Sequence, residues 1–417
     1  MRKITKVILI KNAVETLGYF SEQIALELEH LGYDIYFIDY DELYESLNGL
    51  SRFAVKGRTA LLTFNYIGIG DEEIFRDESG RFIWEKYEMK YLNILVDHPL
   101  YYHTKLMSAL PRMTIFCVDK EHVGYIRRFY PGLKVKFLPL AGNVRLDGEG
   151  YRAGEHRKSD VMMTEYDKIP NYERELIPYE NRKYDLIFTA NYVPIEQLES
   201  RFLGMDEEYA VFYRGILDDL ITNPIQSVDV VMERHIREEL GEILDGDIRA
   251  AMSGMLFIDL CVRTYFRGEI IRELAEADIK VHVFGADWDR LACKKPQNII
   301  KNSGQVSSAA CVDAVRDAKI SLNIMPWFKD GAHDRIFTAM LQQTVALTDD
   351  SRYLRREFMD GENIVFFSLE GRKYLPDIIR MLLRDEENAM RIAKNGYEKA
   401  VCRHTWNFRA DTLATEL

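Results

Sequence analysis

The segment Asp330 to Asp350, DGAHDRIFTAMLQQTVALTDD, carries residue types suited to gripping an anion. His333 and Arg335 stand two positions apart, a spacing that cannot place both on one face inside a helix. They converge if one precedes a helix cap and the other follows it. Asp334 is a favoured N-cap type. Arg335, Ile336 and Phe337 then fill the first turn, whose N–H groups lack helical partners. A diphosphate at that point would meet those amides, the positive end of the helix dipole and two basic side chains. The competing arrangement pairs Arg335 with Asp330 or Asp334 and leaves His333 solvated. A second candidate is Asp97-His98-Pro99, followed by Tyr101, Tyr102 and His103. Asp97 or His98 there can orient or deprotonate an acceptor hydroxyl. Alternatively Asp97 caps a turn and the aromatics pack locally.

These residues sit where strands end. The apolar run Ile320 to Ile324 is strand-length, and Ile336, Phe337, Met340 and Leu341 repeat at helical spacing before a second run, Val345 to Leu347. The order strand, loop, helix, strand puts both loops at the carboxyl ends of parallel strands, where open α/β sheets bind ligands. Upstream, Val7 to Ile10, a helix face of Ile24, Ala25, Leu28 and Leu31, and Ile35 to Ile38 make a βαβ unit. Further strands are expected at Ala60 to Phe64, Leu92 to Val96, Ile115 to Val118 and Val135 to Leu138. Helices are expected between them, including Ile83 to Lys90 and Glu121 to Tyr130. Such alternation predicts a doubly wound, mostly parallel sheet. Residues 145 to 183 read as an irregular connection, and strand-helix alternation restarts at Asp185. The domains are therefore set at 1–183 and 184–402, with 403–417 as a closing tail.

Within the second domain, helical stretches at Glu196 to Leu203, Val228 to Leu244 and Ile248 to Ala277 interrupt the alternation. They form a helical insertion, a surface for shaping an acceptor site or for a homodimer contact. Val281 to Phe284 resumes the sheet, followed by Gly285 and, after Ile299-Ile300, by Gln305 and Val306.

The bulk properties exclude several classes. A net charge of −12 over 417 residues speaks against wholesale binding to nucleic acid or an anionic membrane. Five scattered cysteines with no CxxC pair point to a reducing compartment, without disulfides or a zinc site. The N-terminal apolar run is too short for a signal peptide, and no run is long enough for a transmembrane helix. A cytoplasmic protein is expected. No GxGxxG or GxxxxGK[ST] joins a strand to a helix, which removes support for nicotinamide or ATP-loop chemistry.

The motifs FGADW, ISLNI, DGAHDRIFTAM, ALTDD, EFMDGENIVFF and RHTWNFRA, within Gly285 to Arg409, resemble the C-terminal domain of group 1 glycosyltransferases. The resemblance is greatest to the branch that includes spore-maturation CgeB-like proteins. It implies the α/β GT-B fold, two doubly wound Rossmann-like domains facing a central cleft. It further implies transfer of a sugar from a nucleotide-sugar to an acceptor hydroxyl, with retention of configuration and an acceptor left open: glycan, protein or small molecule. The donor-side positions that follow are Asn191, Gly285, Gln305, Val306, Asp330, Gly331, His333, Arg335, Thr338 and Asp349. In the family the loop holding Asp349 contacts the sugar, and two acids eight residues apart include one that holds the ribose. Here Asp330 keeps the first position and Thr338 replaces the second. A threonine cannot grip a diol as a carboxylate can. No acidic dyad follows an N-terminal strand where a metal-dependent enzyme would use one, so neither metal nor cofactor is expected. Two other readings share the fold: a sugar-nucleotide epimerase, and a non-catalytic scaffold that keeps nucleotide affinity.

Overall fold

A computed structural model describes residues 3–146, 176–302, 304 and 306–417, apart from the side chains of 198 and 199. The chain divides into two compact units. The first contains six parallel strands: β1 (Lys6–Lys11), β2 (Asp34–Asp39), β3 (Thr59–Phe64), β4 (Lys90–Leu95), β5 (Met113–Cys117) and β6 (Val135–Phe137), in the order β2-β1-β3-β4-β5-β6. The runs are short, apolar and rich in Val, Ile, Leu and Phe, as strands covered on both faces must be. β1 and β3 are buried almost throughout.

The first unit also takes in Arg403–Leu417. Its helix Trp406–Ala414 packs on the helix Glu15–His30, where the Trp406 and Phe20 rings lie 5.4 Å apart. The Trp406 indole donates to Asn143 Oδ1 at 3.0 Å, and Arg409 donates twice to the Leu140 carbonyl. Phe408, by contrast, is 37% exposed. Glu416 closes the tail. Its carboxylate meets Lys134 at 2.5 Å, Lys136 at 2.6 Å, Lys90 at 3.6 Å and the Thr114 hydroxyl at 3.2 Å. Burial would raise this carboxyl, but the lysine hydrogen bonds outweigh it and hold the group at about 2.

The second unit contains β7 (Tyr184–Thr189), β8 (Val281–Phe284), β9 (Ile299–Lys301), β10 (Ala318–Asn323), β11 (Val345–Asp349) and β12 (Val365–Phe367), in the order β12-β11-β10-β7-β8-β9. All neighbours are parallel. The order reverses direction at β7, so the crevice beside β7 and β10 is a topological switch point. Arg182, just before β7, is 8% exposed. Its guanidinium donates to the carbonyls of Ile177, Ala318, Gln342 and Gln343. Two of these are at the C-terminal end of the helix Asp334–Leu341, where a cation opposes the negative end of the dipole.

Several elements depart from expectation. Ile83 to Lys90 is not a helix. It holds a single 3-10 turn, Glu85–Tyr87, ended by Glu88 at φ 49, and β4 has begun by Lys90. The buried Trp84 indole donates to the Gly68 carbonyl at 2.7 Å, so this segment folds back on the β3–β4 connection instead of coiling. The long stretch from Ile248 is two helices, Asp245–Ser253 and Leu256–Glu276, broken at Gly254-Met255. Val228–Leu240 stops at Gly241, whose φ of +73 suits glycine.

Candidate functional site

The loops following β7, β8 and β10 build one site in the second unit. Gly285, at the end of β8, has φ +154, and a Cβ there would lie 2.2 Å from the Ala190 carbonyl oxygen. Only glycine lets the β7 and β8 loops approach this closely. Asn191 stitches them together, its Oδ1 accepting from the Ala286 amide at 2.9 Å, while the Trp288 indole donates to the Ala190 carbonyl at 2.7 Å. Asn191 is thus a brace of the loop. Val306 is half-buried, and Gln305 lies outside the described residues.

The helix after β10 starts one residue earlier than expected. His333, not Asp334, is the N-cap residue, and the helix runs Asp334–Leu341. Asp334 therefore enters the first turn, and its carboxylate lies 2.6 Å from His333 Nδ1. Such a contact needs a proton on Nδ1, leaving Nε2 to accept from Arg335 Nη2 at 2.9 Å. The Arg335 amide, 3.4 Å from Nδ1, and the Arg335 Nε, 3.2 Å from it, are then neighbours of the ring and not donors to it. Burial first, and the Arg335 charge second, push the His333 imidazole down to about 4. The ring is neutral at pH 7.

Arg335 resolves the competition posed by its sequence. Its guanidinium pairs with neither Asp330 nor Asp334. Nη1 donates to the Thr189 carbonyl at 2.9 Å, and the group lies 5.9 Å from the Phe188 ring. No carboxylate among the described residues forms an ion pair with it, because Asp330 is taken by Arg356 and Asp334 by His333. This half-buried guanidinium, held by one carbonyl and one imidazole, also feels the charges of Asp334 and Asp349.

The remaining predicted positions serve the frame. The Gly331 carbonyl accepts from the Ser351 hydroxyl at 2.6 Å. Thr338 is 5% exposed, buried within the helix. Asp349 Oδ1 accepts from the Met325 amide at 2.8 Å, and burial pushes its carboxyl up to about 7. Asp350 is exposed and pairs with Arg355 at 2.8 Å. The two adjacent acids thus diverge in environment and do not act as a dyad. Among the described residues, no cluster of three or more His, Cys, Asp or Glu is placed to hold a metal ion.

Sequence reasoning missed Arg267 and Trp327. Arg267 projects from the helix Leu256–Glu276, with Nη1 3.5 Å from the Asn191 carbonyl, and its charge is one cause of the lowered His333. The Trp327 ring has Arg263 at 4.4 Å and Arg267 at 5.2 Å from its centroid, and its centroid is 6.2 Å from that of His333. Asp259 holds Arg263 at 2.7 Å. No periodicity or motif joins a helix of the insertion to a loop after β10. An arginine pair at i, i+4 on an otherwise buried helix was the one available signal.

In the first unit, Asp97 and His98 part company. Asp97 follows β4, half-buried, and accepts from Asn65 Nδ2 at 3.1 Å. His98 is 3% exposed, with Nδ1 accepting from the Leu100 amide and its ring against His122 and Tyr125, at 4.5 and 4.9 Å. It caps the turn Pro99–Tyr102 and packs in the core, which corrects its assignment to an acceptor hydroxyl.

Comparisons with known proteins agree with this architecture. Residues 263–415 match the family described as Glycosyl transferase-like. No curated protein matches the chain. Among solved structures, sucrose-phosphate synthase from Thermosynechococcus elongatus is similar at 11% identity and a TM-score of 0.50, covering 99% of this chain and 98% of the other. T4 phage BGT, solved with its UDP-glucose substrate, is similar at 11% identity and 0.50, covering 99% and 100%. An alpha-glucosyltransferase, solved with UDP-glucose and DNA containing an abasic site, is similar at 10% and 0.51, covering 99% and 100%. The fold is that of GT-B glycosyltransferase structures: two parallel six-stranded sheets with flanking helices.

Proposed function

We propose that the chain is a glycosyltransferase that takes a nucleotide-sugar as donor and an acceptor hydroxyl as nucleophile. One observation carries this: Arg335, a half-buried guanidinium that forms no ion pair among the described residues, stands at the start of a helix on the switch point of a parallel sheet. Charge developing on a departing diphosphate is stabilised by such a cation and by first-turn amides. Neutral His333 adds a ring whose Nε2 orients Arg335, and Arg267 adds a second guanidinium nearby. Transfer then needs no bound metal. Asp97, held by Asn65, is the candidate base for the acceptor. Retention of configuration and membership of the CgeB-like branch rest on the resemblance of the C-terminal motifs. UDP-glucose, the ligand of two structurally similar proteins, is the first donor to try.

The experiment is a thermal-shift screen of UDP-, GDP-, dTDP- and ADP-linked sugars, followed by product analysis. A binding donor raises the melting temperature by mass action. Release of free sugar or transfer to an added acceptor supports a transferase, and a changed sugar on the intact nucleotide supports an epimerase. Stabilisation without any turnover would favour a scaffold, consistent with Thr338 standing where a ribose-binding acid is expected. No stabilisation by any nucleotide would overturn the proposal.

A further inference from the structure

The first unit has a half-open cavity of about 300 Å³ between the β3–β4 connection and the residues around the helix His103–Met107. That volume is at the lower end for small-molecule sites. Neither Asp97 nor His98 lines it. Its apolar lining includes Tyr66, Ile69 and Met113. Its polar lining sets three cations, Arg76, Arg81 and Lys105, against two carboxylates, Asp71 and Glu85. The lining itself is net positive on a chain of net charge −12, although Arg81 also pairs with Asp77 at 3.8 Å.

Three observations point to a ligand. The Arg76 guanidinium lies 4.1 Å from the Phe82 ring centroid and donates to the carbonyls of Gly70 at 3.1 Å and Gly80 at 2.8 Å, with no carboxylate partner among the described residues. The acids present do not offset it. Glu85 Oε1 accepts from the Phe82 amide, and Asp71, 87% exposed, faces Lys105 at 3.4 Å in a pair that solvent weakens. Second, Tyr66, 2% exposed, contributes an aromatic side chain to the lining. Third, Asn65 and Tyr66 are consecutive left-handed residues, at φ 51 and 63. Backbone strain of this kind in non-glycine residues gathers at ligand clamps.

We propose that this cavity binds a hydroxylated organic anion about one sugar ring in size. Arg76 and Lys105 hold its carboxylate or phosphate, and Ile69 and Met113 face its carbon skeleton. A neutral sugar would leave Arg76 unanswered. The proposal is independent of the donor site, since every lining residue belongs to the first unit.

Calorimetric titration of the full chain with glucuronate, glucose 6-phosphate and glucose tests it. Both acids should bind at least about tenfold more tightly than glucose, and the ratio between them identifies the preferred head group. Ala109→Trp, which fills the cavity, and Arg76→Gln, which removes the charge, should each weaken the acids about tenfold or more. Arg76→Lys, which keeps the charge, should recover part of the loss even though its backbone contacts change. Arg335→Ala should leave these affinities unchanged. Equal binding of glucose, binding that survives Ala109→Trp, binding lost with Arg335→Ala, or no binding of either acid would overturn the proposal.

Discussion

On the proposed reading, donor binding turns on Arg335. Removing it should cost about 1.5–3 kcal/mol in nucleoside diphosphate affinity, as for a hydrogen bond to a charged group. The bare nucleoside has no phosphate for it to grip and should lose much less. Calorimetry on Arg335→Ala with both ligands decides this, and equal losses would contradict the assignment. In the first unit, Asp97→Asn should abolish transfer while leaving the melting temperature and nucleotide affinity near wild type. His98→Ala should instead lower stability by about 1 kcal/mol or more, because it removes a cap and empties part of a packed cluster. An unaltered melting temperature with lost transfer would return His98 to the chemistry. At this scale the sequence was legible in part. His333 and Arg335 were singled out by spacing around a cap, and His333 is the N-cap residue. Arg267 did not, because only the packing of the insertion brings it to Asn191. Asp349 misled, since adjacent acids look alike in sequence and only burial tells them apart.

At the scale of elements, the strands were readable because each is a short apolar run closed by turn residues. The helices were less so. Ile83 to Lys90 has helical spacing, yet tertiary demands on Trp84 override it. Ile248 to Ala277 was expected as one helical stretch, and Gly254 and Met255 break it in two. β12 gave only a three-residue run, too short to separate from a loop by pattern. The closing helix carries a testable ion cluster. Glu416 titrates at about 2 when folded, against 4.5 ordinarily. Its contribution is therefore fully present above about pH 4.5 and fades as the pH falls toward 2. Glu416→Gln should melt below wild type at pH 7, and the gap should narrow on acidification through that window. A gap that widened toward pH 3 would show that the lysines are not what holds this carboxyl.

At the scale of the whole molecule, the proposed donor site offers a diphosphate arginines and amides. Hydrolysis of the donor, or transfer, should then survive EDTA. Loss of activity with EDTA, restored by Mn²⁺, would reveal an acid pair whose role was misjudged. The tail has one more implication, and it concerns time. Residues 403–417 complete the first unit, but the whole second unit is translated before them. At a synthesis rate of roughly 5–20 residues per second, the helix Glu15–His30 emerges on the order of tens of seconds before its cover, Trp406–Ala414, exists. During that interval Phe20 and its neighbours present an unfilled apolar seat on the nascent chain. Of the two units, the one translated first is thus the one completed last.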